Sequence, residues 1–225
     1  IPSTVKFIFK NKTVSADGKW TAFVRDHNLW IRHDDQKIQL TSDGAPDNTF
    51  QFRGHEAPDV RWSPASKHLL AFQTNRVAEP QVHLIESSPA DQLQPRIQSH
   101  TYRKPGDELP KQTLRLFVLP SKKEIPISDR LFDNPWNLRF RGWSESGDRF
   151  WLHYNRRGHQ MVRELEVSVV DGSVKTFIEE ASETFIHYSN SGKLVFKELG
   201  QDEILWASER SGWNHLYRYS RATSQ

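Results

Sequence analysis

Apolar positions along the chain come in short runs, mostly aromatic or β-branched, and nearly every run is closed within about ten residues by Gly, Pro, Asp or Asn. The three-to-four-residue spacing of a helical face is missing, so the pattern predicts an all-β protein. Residues 20–25, 28–32 and 37–40 read as a meander of three strands, turned at Asp26-His27 and Asp34-Asp35. A second set covers 69–74, 81–86 and 114–120, followed by the Ser121-Lys122-Lys123 turn and 124–127. A third covers 149–155, 161–169 and 174–179, and a fourth 193–199, 203–208 and 215–219.

Each set opens on one recurring turn: Ser15-Ala16-Asp17-Gly18, Ser63-Pro64-Ala65-Ser66, Ser144-Glu145-Ser146-Gly147 and Ser189-Asn190-Ser191-Gly192. A serine hydroxyl there can bond a backbone N–H two or three residues on, and glycine accepts a positive φ before the blade's innermost strand begins. Ser63 follows Ser15 by 48 positions and Ser189 follows Ser144 by 45, a period that suits a propeller blade. Ser144 lies 81 positions after Ser63, and the Pro- and Gln-rich stretch 88–111 accounts for the surplus as an excursion inside one blade. Two stacked β-sandwiches would share the short strands but would not repeat an opening turn at a fixed offset. The expected fold is therefore a partial β-propeller, with about four blades of a ring of about seven or eight. Its blades fall roughly at 14–44, 60–128, 142–180 and 187–225.

Composition supports a packed core: 8 Trp, 5 Tyr and 13 Phe among 225 residues rule out disorder. Trp143, Phe150, Trp151, Trp206 and Trp213 are expected where neighbouring blades bury them. Lys and Arg number 31 against 28 Asp and Glu, interleaved along the chain, which argues against a dedicated nucleic-acid binder. With no cysteine, a disulfide scaffold, a cysteine nucleophile and a thiolate zinc site are excluded. No His-x-x-x-His spacing occurs among the 10 histidines, so neither metal nor cofactor is expected. No membrane span is expected either, since the best apolar run, 114–119, contains Arg115. The chain opens at Ile1 and its one methionine is Met161, which reads as a piece of something longer.

Several segments carry a family resemblance. They are Ser15-Ala16-Asp17-Gly18-Lys19-Trp20 with Asn28-Leu29-Trp30, Arg61-Trp62-Ser63-Pro64, and Ser208-Glu209-Arg210-Ser211-Gly212-Trp213-Asn214-His215-Leu216-Tyr217. Tyr102-Arg103-Lys104-Pro105-Gly106-Asp107, leading into Leu114-Arg115-Leu116-Phe117-Val118, resembles a Pro-Gly crossing strand inside an early blade. Together they resemble the propeller of the dipeptidyl peptidase IV branch of the prolyl oligopeptidase family. The resemblance implies a multi-bladed propeller followed by an α/β-hydrolase domain with a Ser-Asp-His triad, and none of that second domain is expected in these residues. On this reading the chain is a non-catalytic region that gates and positions peptide substrates for the hydrolase domain of the same parent chain. A periplasmic or extracellular setting and a homodimer go with it. A free-standing interaction propeller is the alternative.

Candidate site residues are few. The branch carries a Glu-Glu pair before the blade that opens at Ser63, suited to clamping a protonated peptide N-terminus; here that region offers only Glu56. Arg157, in the tip Arg156-Arg157-Gly158-His159, is a candidate for lining a channel mouth. Glu179-Glu180 is expected at a strand-end turn with a solvated face, and Arg210 in an ion pair between neighbouring strands. Gly142-Trp143-Ser144-Glu145-Ser146-Gly147 is similar to the family's nucleophile elbow, but Ser146 replaces a glycine and a strand pattern follows where an elbow requires a helix. No catalysis is expected from this chain alone. Asn11-Lys12-Thr13 fits a glycosylation sequon, relevant in a secreted eukaryotic protein.

Overall fold

The computed structural model describes residues 14–51, 57–186, 196–199 and 203–221. All regular elements among them are β-strands, and no helix long and apolar enough to cross a membrane occurs. β1 (Trp20–Arg25), β2 (Asn28–His33) and β3 (Gln36–Gln39) form a first, three-stranded sheet. Its opening hairpin closes through Asp26 and His27, both at positive φ (48° and 64°), a handedness that matches the twist of the paired strands.

Next come β4 (Asn48–Thr49), β5 (Val60–Trp62), β6 (His68–Asn75), β7 (Gln81–Glu86), β8 (Arg96–Thr101), β9 (Lys111–Val118) and β10 (Lys123–Ile125). Five of them make a second sheet in the order β10-β9-β6-β4, with β5 also on β6, while β7 and β8 pair with each other. β11 (Pro135–Trp143), β12 (Arg149–Arg156), β13 (Met161–Ser168) and β14 (Val174–Ala181) form a third sheet in chain order. β15 (Phe196–Glu198), β16 (Glu203–Ser208) and β17 (His215–Ser220) form a fourth.

Packing follows from the pleat, which sends alternate side chains to opposite faces. On β6, Leu69 and Ala71 join Trp20, Leu29, Ile31, Phe50 and Phe117 in a core between the first and second sheets. Leu70 and Phe72 turn the other way, joining Leu114, Leu116, Phe150, Leu152, Tyr154 and Leu165 between the second and third. A third core joins Val162 and Ile178 to Ile204 and Trp206 of the fourth sheet. Sheets stacked face to face in this way make the expected all-β, partial propeller. Arg115 adds a polar tie, reaching Glu124 on β10 at 2.7 Å and Asp43, beyond β3, at 2.9 Å.

The recurring turn keeps the same two hydrogen bonds in three copies. Gly18, Ser66 and Gly147 each donate a backbone N–H to the carbonyl of the serine three residues back, at 3.0, 2.9 and 3.0 Å. All three lie at positive φ (75°, 57° and 70°). The serine hydroxyls accept from the N–H of Trp20, His68 and Arg149, five residues on rather than two or three, at 2.9, 3.0 and 3.3 Å. The fourth copy, Ser189–Gly192, lies outside the described residues.

Two expectations are corrected. In its second and third copies the turn does not precede an innermost strand: β6 lies between β5 and β9, and β12 between β11 and β13, so both are interior, whereas β1, after the first copy, stands at an edge of its sheet. β7 does not belong to the second sheet, because β6 pairs directly with β9 over eight positions, from His68↔Val118 to Asn75↔Lys111. A strand buried on both faces needs a continuous apolar run, which Leu69-Leu70-Ala71-Phe72 supplies and Gln81-Val82-His83-Leu84 does not. Phe150, Trp151 and Trp206 are buried as expected and Trp143 is half-buried, but Trp213, on the β16–β17 turn, is 79% exposed.

Candidate functional site

The hairpin joining β12 to β13 tightens through Gly158 and His159, at φ 94° and 59°, which leaves Arg157 at its tip. The Arg157 backbone N–H donates to the Asn134 carbonyl at 3.0 Å. Its guanidinium crosses to the excursion between β6 and β9, where Nη2 donates to the Asp107 carbonyl at 2.5 Å. Asp107 ends a built turn: its carboxylate accepts from the Lys104 N–H at 2.7 Å, with Gly106 at φ 101°.

Just past that turn, Leu109 and Pro110 wall a cleft of about 270 Å³ whose other lining residues are Thr74, Gln112, Pro135, Trp136 and Leu138. It lies between the second and third sheets. Trp136 is 49% exposed and meets the His159 ring edge-on at 5.1 Å, and His159 meets Phe185 in the same way at 5.7 Å. Burial pushes the His159 pKa below the usual histidine value. Two prolines, a half-exposed indole, an amide and a hydroxyl suit an apolar segment of extended peptide, with polar groups to fix its backbone. They supply no nucleophile paired with a base.

Ser144 likewise has no catalytic surroundings. Its hydroxyl donates to Asp148 Oδ1 at 2.8 Å and lies 3.2 Å from the Ser146 hydroxyl, and strand β12 follows. Hydrogen bonds from Arg149, then from Ser146 and Ser144, hold the Asp148 carboxyl well below the usual carboxylate range. An aspartate and a serine without an imidazole make a turn, not a triad.

Of the two candidate binding residues, Arg157 stands beside this cleft, and Glu56 lies outside the described residues. Glu179-Glu180 is not on a turn, and only Glu179 is exposed as expected. Both residues are in β14, and Glu180 is buried, accepting from Trp206 Nε1 at 3.3 Å, Ser208 Oγ at 2.5 Å and Arg210 Nη2 at 2.9 Å. Arg210 therefore makes its expected ion pair, across the third and fourth sheets. Trp136 and Asp107 escape sequence reasoning: Asp107 contacts Arg157 through its backbone, and Pro135 hides the strand on which Trp136 stands.

The family model described as dipeptidyl peptidase IV (DPP IV) N-terminal region matches residues 8–225. Among solved structures, dipeptidyl peptidase 4 of Porphyromonas gingivalis aligns with a TM-score of 0.60 at 20% identity, over 92% of this chain and 30% of that one. A putative dipeptidyl aminopeptidase IV from Bacteroides ovatus ATCC 8483 aligns with a TM-score of 0.58 at 16% identity, over 93% of this chain and 29% of that one. At such identities the likeness is one of fold, and the chain spans less than a third of either relative.

Proposed function

The chain belongs to the dipeptidyl peptidase IV N-terminal region family, and from that membership we propose that it is the non-catalytic propeller region of a dipeptidyl-peptidase-like serine exopeptidase. The observation that carries this reading is the family match over residues 8–225. In this role the propeller admits short peptides, excludes folded proteins and positions the peptide for a Ser-Asp-His triad in a C-terminal α/β-hydrolase domain of the parent chain. Glu56 and Arg157 are its nominated peptide contacts. A peptide-processing role suits a periplasmic or extracellular setting.

A homodimer completes the proposal. The β7–β8 hairpin supports it: Ile85 and Ile97 face each other across the ladder and are 70% and 69% exposed, on a two-stranded sheet whose outer edges are unpaired among the described residues. The reading is tested with chromogenic dipeptide substrates, on the parent protein and on polypeptide 1–225 separately. The parent should release the chromophore and polypeptide 1–225 should not. Turnover by 1–225 that vanishes in Ser144→Ala, or an inert parent, overturns it.

A further inference from the structure

We propose that Arg157 is the latch that fixes the β7–β8 arm, tying the return leg of the excursion to the tip of the β12–β13 hairpin. It thereby sets the pose in which the arm meets a second copy of the chain, a consequence that rests on the homodimer reading above.

An isolated two-stranded hairpin is marginally stable in water. Among the described residues β7 and β8 pair with each other and with no other strand, and most of their side chains are exposed, so the arm's orientation comes from its root. Both ends of the excursion spring from the second sheet, β6 before it and β9 after it. Its base closes on itself where the Tyr102 N–H donates to the Pro80 carbonyl at 3.0 Å, and Arg103 stands 3.7 Å from Glu79. Those contacts join the two legs of the excursion to each other and neither reaches the third sheet.

The tilt is set by the leg 102–110, which leans on the third sheet. Arg157 Nη2 reaches the Asp107 carbonyl, and Leu109 and Pro110 face Pro135 and Trp136 across the cleft. The guanidinium is not needed to build its own hairpin: backbone bonds from His159 to Arg156 and from Arg157 to Asn134 do that, at 2.9 and 3.0 Å. Arg157 is thus a single side chain, half-buried, joining two separately built units by a hydrogen bond that one rotamer change can open. Because the acceptor is a backbone carbonyl, changing the Asp107 side chain leaves the latch in place.

Hydrogen exchange on the parent protein tests this with Arg157→Ala, Arg157→Lys and Asp107→Asn. In Arg157→Ala the amides of 102–110 and of β7–β8 should exchange about tenfold faster, with those of β12 and β13 unchanged. Arg157→Lys, which keeps a cationic donor group on a different stem, should fall between Arg157→Ala and wild type, and Asp107→Asn should disturb only the local turn. Unchanged exchange in 102–110, or loosening that spreads into β12 and β13, overturns the latch. Sedimentation of the same proteins reads the pose: the dimer dissociation constant should rise in Arg157→Ala. A parent that stays monomeric removes the homodimer reading and the pose with it, while exchange still decides the latch by itself.

Discussion

Tyr154 stands at the end of the core between the second and third sheets, fully buried, its hydroxyl donating to the Asp133 carbonyl. Burial, then the charge of Asp133, pushes its pKa up to about 12 from 10.0. Below pH 10 both folded and unfolded chains keep the proton. As pH rises from 10 toward 12 the unfolded chain releases it while the folded one holds it, so the folded state loses stability over that window. Tyr154→Phe removes one hydrogen bond and should cost about 1 kcal/mol at pH 7. That deficit should shrink above pH 10, because the wild-type protein alone bears the titration. Urea unfolding at pH 7, 10 and 11 reads both effects, and a deficit that stays constant means Tyr154 does not titrate as a buried phenol. Glu180 shows why such chemistry is hard to see in a sequence. The donors that make it a buried carboxylate, Trp206, Ser208 and Arg210, stand 26, 28 and 30 positions further on, in the next sheet and the turn that follows its middle strand. By contrast, the strand pattern after Ser144 was enough to exclude an elbow, because helix and strand periodicities differ within one turn of chain.

Among elements, the Ser-x-x-Gly turn links local chemistry to packing. A Cβ added at Gly147 would sit 3.4 Å from Pro64 Cδ and 3.5 Å from Ser63 Cβ, an ordinary contact with the neighbouring copy of the turn. The difficulty with a side chain there is the backbone, at φ 70°. Gly147→Ala should therefore cost about 1–2 kcal/mol, the penalty for placing a Cβ in the left-handed region. Ser66→Gly relieves the same strain but loses the bond from the Asp17 N–H to Ser66 Oγ, at 3.1 Å, so the two effects should largely cancel. Equal unfolding midpoints for Gly147→Ala and wild type would show that the repeat does not depend on that geometry. These turns were legible because they use serine and glycine for reasons confined to a few residues. β11 was not: Pro135 opens it, and register shifts at Pro135/Asn137 and Phe140/Gly142 break the alternation by which a strand is recognised. β7 was legible as a strand but not as an arm, since periodicity reports burial by face and not which strand lies alongside.

At the scale of the molecule, three apolar layers hold four sheets together, and among the described residues apolar side chains stay exposed on two hairpins in particular. One is the arm, with Leu84, Ile85, Leu93 and Ile97; the other is the β16–β17 hairpin, with Trp213 and Leu216. Large exposed apolar patches on a polypeptide in water are covered by whatever apolar surface they meet. Polypeptide 1–225 studied by itself should therefore self-associate. The arm should contribute the specific part, because Ile85 and Ile97 are paired in register on one face, whereas Trp213 lies on a turn. Sedimentation velocity across a concentration series separates the two surfaces. Ile85→Glu with Ile97→Lys should weaken association about tenfold or more, since a dimer would have to bury charge at its centre. Trp213→Ser with Leu216→Lys should abolish only concentration-dependent material larger than a dimer. A compact monomer at every concentration would mean that neither patch is an interface in polypeptide 1–225, and equal loss from both pairs of substitutions would mean that association is unspecific and the arm is no dimer contact.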